Sequence, residues 1–134
     1  FTDSVACCGY WVDIHAYQGP GLHVPAKGTQ VKDGGHYDIP YRCLVPQKVE
    51  GLLVAGRSLS ASHEAQASAR VMAPCMAMGH ATGTAAALSV QQGVAPRELD
   101  VHLLQQTLLQ QGAFLGEALA PLKPTPIPQQ PVSH

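Results

Sequence analysis

The sequence predicts an α/β piece rather than a closed domain: two to three strands plus two helices, completing a sheet supplied by another polypeptide. Three observations carry this. The run Leu52-Leu53-Val54-Ala55 is unbroken and apolar, as in a parallel-sheet strand covered on both faces. Such a strand needs flanking strands that this chain does not contain. Charged residues make up only 13% of the chain, about half the ordinary share, too few to clothe a full surface.

Each element follows from local pattern. Residues 5–17, "VACCGYWVDIHAY", read as a strand in which Val12 and Ile14 alternate with Trp11, Asp13 and His15. Residues 18–35 are punctuated by Gly and Pro and read as loop, with a hairpin turn at Asp33-Gly34-Gly35. "HYDIPYRCLVP" (36–46) reads as a second strand, placed at an edge or bulge by Pro40. "GLLVAGRS" (51–58) is the third, and 58–70 is a polar, partly helical connection. Pro74 marks the start of a helix over about 75–92, closed by Gly93. A second helix spans 95–112, with Pro96 near its start, leucines at 99, 103, 104, 108 and 109, and Gly112 at its end. From Ala120 a Pro-rich tail is too poor in apolar side chains to pack, and is either disordered or draped over a partner.

Composition excludes several function classes. The net charge is −1, with no basic run, so nothing favours nucleic acid or an anionic membrane. Residues 71–90 hold one titratable group, His80, and a Gly79/Gly83 pair, which raises a membrane helix as an alternative. Pro74, Thr82, Thr84 and the scarcity of Leu, Ile and Phe weigh against it. The four cysteines (7, 8, 43 and 75) show no CxxC or Cys/His spacing that would mark a zinc site, and read as thiols. Phe1 is preceded by no signal peptide, so the chain reads as soluble, and as a processed chain, a subunit cut from a precursor or an engineered piece.

The chemistry concentrates in residues 52–90. Gly79, Gly83 and Ala87 fall four apart on one side of the main helix, with Ala86 beside them, so that another backbone or a flat ligand could approach closely. The start of that helix exposes free N–H groups and partial positive charge, suited to an electron-rich carbonyl or anion. Gly56-Arg57 ends the apolar strand at its carboxyl end, where open α/β sheets bind ligands.

Three segments, "YDIPYRCLVP" (37–46), "LLVAGRSLSASHEAQASARVMAPCMAMGHATGTAAAL" (52–88) and "GVAPRELDVHLLQQTLLQQGA" (93–113), together resemble the C-terminal flavin-contacting part of FAD-dependent oxidoreductases of the glutathione-reductase type, related to the fumarate-reductase flavoproteins. The resemblance implies a C-terminal part of that FAD-binding fold. It implies that residues 1–50 supply strands and loop of the substrate-side sheet, that 51–113 contact FAD, and that 114–134 form the tail. Gly56 and Arg57 would lie by the ribityl and pyrophosphate portion. Met72, Pro74, Cys75 and Met76, within "ARVMAPCMAMG", would pass the isoalloxazine ring. Such families bind ADP through a GxGxxG unit, which this sequence lacks. The expected partner is therefore a larger polypeptide carrying the dinucleotide-binding half.

Candidate chemistry is then redox: hydride transfer from a small-molecule substrate to flavin N5. His63 is the candidate general base, and Arg70 the candidate contact to flavin or a substrate anion. Each has a plainer reading, His63 as a solvated loop histidine, Arg57 as a surface residue after a strand, and Arg70 as a solvent-facing helix residue. Cys75 reads most simply as a packed thiol. Asp13 with His15, and Tyr41 with Arg42, could face a substrate cavity or flavin, or be structural pairs. The competing function is a non-catalytic docking fragment derived from a flavoenzyme.

Overall fold

The computed structural model describes residues 1–14, 31 and 35–117. His15, the Asp33-Gly34 part of the expected hairpin and the Pro-rich tail lie outside the described residues. Strand β1 (Ser4–Cys8) pairs antiparallel with β2 (Tyr37–Pro40), Cys7 standing opposite Asp38 and Cys8 opposite Tyr37. The register slips between Ser4 and Ala6, a bulge that bends the strand where it enters the core. Helices α1 (His63–Ala69), α2 (Met72–Gln92) and α3 (Val101–Gln110) follow. The sheet packs on α2 and α3, and the core between them holds Val5, Ile39, Leu44, Met78, Leu104 and Leu108.

The strands depart from expectation, and each departure has a local cause. The first strand stops at Cys8 rather than running on to residue 17, because Gly9 follows and its neighbours leave the ladder. The second stops at Pro40, which cannot donate to a ladder; the chain then winds into a 3-10 turn over Tyr41–Leu44. Residues 51–58 form no strand. Gly51 and Gly56 adopt left-handed φ of 69° and 61° at either end, and Gly56–Ser58 is a 3-10 turn. The apolar run is not covered on both faces by this chain: Leu52 is 46% exposed. Its tie to the rest is the bond from Val54 N–H to the Leu44 carbonyl, 2.9 Å. The strand buried almost throughout is β1. No parallel pair occurs among the described residues.

Helices fare better, and number three rather than two among the described residues. Ser62 caps α1, its hydroxyl accepting from Ala65 N–H at 3.3 Å. Helix α2 begins at Met72, three residues before the expected start, so Pro74 sits in the first turn, where its missing N–H costs nothing. Gly93 closes it in the left-handed conformation, φ 67°. The expected second helix is divided: a 3-10 turn at Pro96–Glu98, then a fresh start where the Asp100 side chain accepts from His102 N–H at 2.9 Å. Buried Gln105 donates from its amide to the carbonyls of Thr2 (2.8 Å) and Ser4 (3.0 Å), tying α3 to the first strand.

Helix α2 has few polar side chains on its outer face, chiefly His80 and, at its end, Gln91 and Gln92. Pro74, Met78, Ala81, Ala85 and Ser89 are buried on one side. On the other, Met72, Met76 and Val90 are 81%, 75% and 83% exposed, with Gly79, Gly83, Ala86 and Ala87 between them also exposed. A Cβ built on Gly79 or Gly83 meets nothing within 4 Å, so the small-residue strip faces away from this chain's own core.

Truncating Leu108 to Ala should cost about 2–5 kcal/mol in urea unfolding of the chain, whereas Val90→Ser should stay within about 0.5 kcal/mol. Burial pushes the Tyr41 phenol up from 10.0 to about 12, and its hydroxyl donates to the Pro96 carbonyl at 2.8 Å. Above pH 10 the unfolded chain releases this proton and the folded chain holds it, so stability is fully present and flat below pH 10 and falls as pH rises from there to about 12. Tyr41→Phe should flatten that part of the alkaline limb in a pH series of denaturant melts.

Candidate functional site

Several of the residues singled out from sequence meet where α1 ends and α2 begins. Arg70 terminates α1, and Val71 opens α2 without a side-chain cap. Pro74 contributes no N–H, so the first-turn donors of Met72 and Ala73 are left to external partners. Opposite this helix start lies the end of β1. Between the two is a cleft of about 330 Å³, lined by Cys7, Cys8, Gly9 and Tyr10 on one wall and by Val71, Ala73 and Pro74 on the other. Its volume falls at the lower end of ligand-site sizes.

One buried hydroxyl organises the wall formed by β1. Tyr37 donates its phenol proton to Ser68 Oγ at 2.6 Å, and Ser68 Oγ donates onward to the Tyr10 carbonyl at 2.5 Å. Cys8 Sγ lies 3.5 Å from the same oxygen, and Tyr10 N–H donates to Cys8 Sγ at 3.4 Å. Burial, then the Cys8 contact, pushes the Tyr37 phenol well above its ordinary range, so it acts here as a donor. Sequence reading missed Ser68 and Tyr37: a serine in "QASAR" carries no motif, and strand pairing is what brings Tyr37 to it.

A second network joins the turn to the helix. Gly56 adopts φ 61°, and a Cβ there would stand 3.5 Å from Cys75 Sγ, so the turn lies against the first turns of α2. Cys75 donates to the Ala69 carbonyl at 3.7 Å, consistent with a packed thiol; all four cysteines are free thiols. Arg57 donates through Nε to the Arg70 carbonyl at 3.3 Å, and its own carbonyl accepts from Gln66 at 2.9 Å. Arg70 in turn reaches Asp13, donating to its carbonyl at 2.9 Å, with the carboxylate at 3.7 Å.

The expected residues are thus only partly assembled. Gly56, Arg57, Arg70 and Cys75 are knit together, Pro74 lines the cleft, and Met72 and Met76 stand exposed beside it on the outer face of α2. His63 is the exposed first residue of α1 and does not line the cleft. Tyr41 and Arg42 lie elsewhere: Tyr41 bonds Pro96, and Arg42 pairs with Asp3 and stacks 4.8 Å from the Phe1 ring. They line a larger cavity, about 460 Å³, whose other guanidinium, Arg97, is bound by Glu50 and the Pro46 carbonyl. With both cations already neutralised and none of the α2 residues present, that cavity makes the weaker case for a cofactor.

Comparison with known proteins decides the family. The family model described as FAD dependent oxidoreductase matches residues 1–108. The chain belongs to the FAD-dependent oxidoreductase family. No curated protein and no solved structure matches it. FAD is the cofactor the family implies, and oxidoreductase activity belongs to its full-length members.

The family's cofactor can be set against the residues present. An uncapped helix start, exposed methionines and a largely apolar cleft suit a flat ring system with a carbonyl edge. The phosphate end is not provided for, since the sequence holds no GxGxxG turn. No helix of the described residues is long and apolar enough to cross a membrane.

Replacing Ser68 by Ala should cost about 1–3 kcal/mol, because the buried Tyr10 carbonyl and Tyr37 hydroxyl lose their shared partner. Hydrogen exchange at Tyr10 and Trp11 should quicken in that variant while the α3 amides change little.

Proposed function

We propose that this chain is the C-terminal, flavin-contacting part of an FAD-dependent oxidoreductase of the glutathione-reductase and fumarate-reductase-flavoprotein type, acting with a polypeptide segment that carries the dinucleotide-binding half. The observation that carries the reading is helix α2. Its start is uncapped and flanked by exposed methionines, and its outer face is apolar over most of its length. A helix with so little polar surface belongs inside a larger protein. Glycines at 79 and 83 leave room on that face for a close backbone.

In this reading FAD, when bound, supplies the acceptor for a hydride from a small-molecule substrate at N5. The chain's own part is to position and to polarise. The free N–H groups of the α2 start favour negative charge at the ring's carbonyl edge. Gly56 and Arg57 border the cofactor's middle portion, and Arg70, its charge paired with Asp13, presents guanidinium hydrogen-bond donors there. His63 is the proposed base for a substrate that approaches from the solvent side of α1.

Natively purified material should show flavin absorbance bands and, on a denaturing gel, polypeptide bearing GxGxxG in addition to the residues described here. Met76→Asp should then lower flavin occupancy at least tenfold with the fold intact by circular dichroism, since it places a carboxylate beside the ring on an exposed position. His63→Gln should cut turnover about 10²–10⁴-fold and remove one limb of the pH–rate profile; unchanged turnover eliminates it as base. A colourless single species that still captures a partner through α2 would favour the second reading, a docking fragment without chemistry.

A further inference from the structure

Away from that cleft, three side chains with ligand chemistry converge on one point. Cys7 and Asp38 are directly opposed in the β1–β2 register. His36 lies two residues before Asp38, which puts it on the same side of extended chain. One donor atom from each lies within 4.8 Å of the other two, and Cys7 Sγ stands 3.8 Å from Asp38 Oδ1. We propose that Cys7, His36 and Asp38 form a three-ligand site for a divalent cation of the zinc class. The inference does not rest on flavin binding.

Four features support it. Zinc bonds of about 2.0–2.3 Å in tetrahedral geometry place donor atoms about 3.3–3.8 Å apart, so closing the triad shortens the donor–donor distances by at most about 1.5 Å. The space between the donors is kept open by Gly116. With φ of 89°, its absent Cβ would sit 3.1 Å from His36 Nε2, 3.4 Å from Asp38 Oδ1 and 3.6 Å from Cys7 Sγ. The ligands are oriented from outside: Phe114 meets the His36 ring edge-on at 5.0 Å, and the Phe1 ammonium holds the other Asp38 oxygen at 2.8 Å. The thiolate and carboxylate supply two negative charges, of which the Phe1 ammonium balances one, so the three ligands favour a cation. The mixed sulfur, nitrogen and oxygen set suits zinc rather than magnesium or calcium, which take oxygen ligands.

The binding step is balanced simply. The Cys7 sulfur loses its proton to buffer as the sulfur–metal bond forms, and the ion gives up all but one of its waters as the three side chains bind. Water fills the fourth position. Because the ligands span both strands, the bound ion would pin the β1–β2 pair beside the segment that follows α3.

The test uses the reduced, chelator-treated 134-residue chain and cobalt(II) as the probe. One equivalent should bind, with a thiolate-to-cobalt charge-transfer band and the visible bands of tetrahedral cobalt. Zinc(II) should displace it one for one and raise the thermal midpoint. Cys7→Ser should abolish the charge-transfer band. His36→Gln should weaken binding by at least the about 10–100-fold that loss of an outer-shell partner costs. The Cys43→Ser, Cys75→Ser double variant should bind as the parent does. Should Cys7→Ser fail to fold by circular dichroism, His36→Gln decides, since His36 lies outside the strand pairing. The site is overturned if cobalt binds with no thiolate band, if the band survives Cys7→Ser, or if His36→Gln binds as tightly as the parent.

Discussion

Everything in this structure turns on how little of the outer face of helix α2 is polar. A surface helix sorts its residues into an apolar stripe and a polar face; this one places Met78, Ala81 and Ala85 inward and Met72, Met76 and Val90 outward. The inward set satisfies the β1–β2 pair and α3. The outward set has no counterpart among the described residues, and a hydrophobic surface of that kind is stabilised only by something that covers it. Polar ties on α2 are local, Thr84 and His80 both meeting Gln111 Oε1 at 3.0 and 2.6 Å. They set the α2–α3 angle without giving the helix a wettable face.

The cleft depends on that helix being fixed in place, and the fixing is polar. Ser68 sits at the junction of three elements: α1 that carries it, β2 that brings Tyr37, and the chain after β1 that brings the Tyr10 carbonyl. A buried network of this kind is strong when complete and costly when broken, because each remaining group is stranded in low dielectric. Gly56 against Cys75 does the same by shape, where a close approach and a left-handed φ coincide. Together these contacts set the two walls of the cleft at the uncapped end of α2.

How much of this the sequence disclosed follows from how local each feature is. Gly93, Gly112 and Pro96 mark helix ends through their own backbone preferences, and all three fall at such boundaries. The division of the second helix was missed because the Asp100 cap competes with a leucine pattern that runs through it. Strands were harder. The LLVA run has strand composition, but a strand exists only with a neighbour, and here it makes one bond to Leu44. Pro40 signals an edge or a bulge, and it stands at the end of the strand opposite the bulge between Ser4 and Ala6. At the site, residues near one another in sequence, such as Gly56 with Arg57 and Pro74 with Cys75, could be named in advance. Tyr37 and Ser68, 31 positions apart, could not.

The same distinction explains why a ligand triad can hide from motif reading. Metal motifs such as CxxC are recognisable because one turn of chain delivers both donors. Cys7, His36 and Asp38 are delivered instead by antiparallel register, which sets residue 7 against residue 38 whatever lies between. Gly116, arriving from beyond α3, completes the pocket by lacking a side chain. A one-residue slip of β1 would turn Cys7 to the other face of the sheet and bring Cys8 toward Asp38. The bulge near Val5 and the Gln105 bonds to Thr2 and Ser4 oppose that slip from the far end of the strand. The cluster therefore inherits its geometry from the core, and a substitution in α3 that loosens Gln105 would disturb it without touching any donor atom.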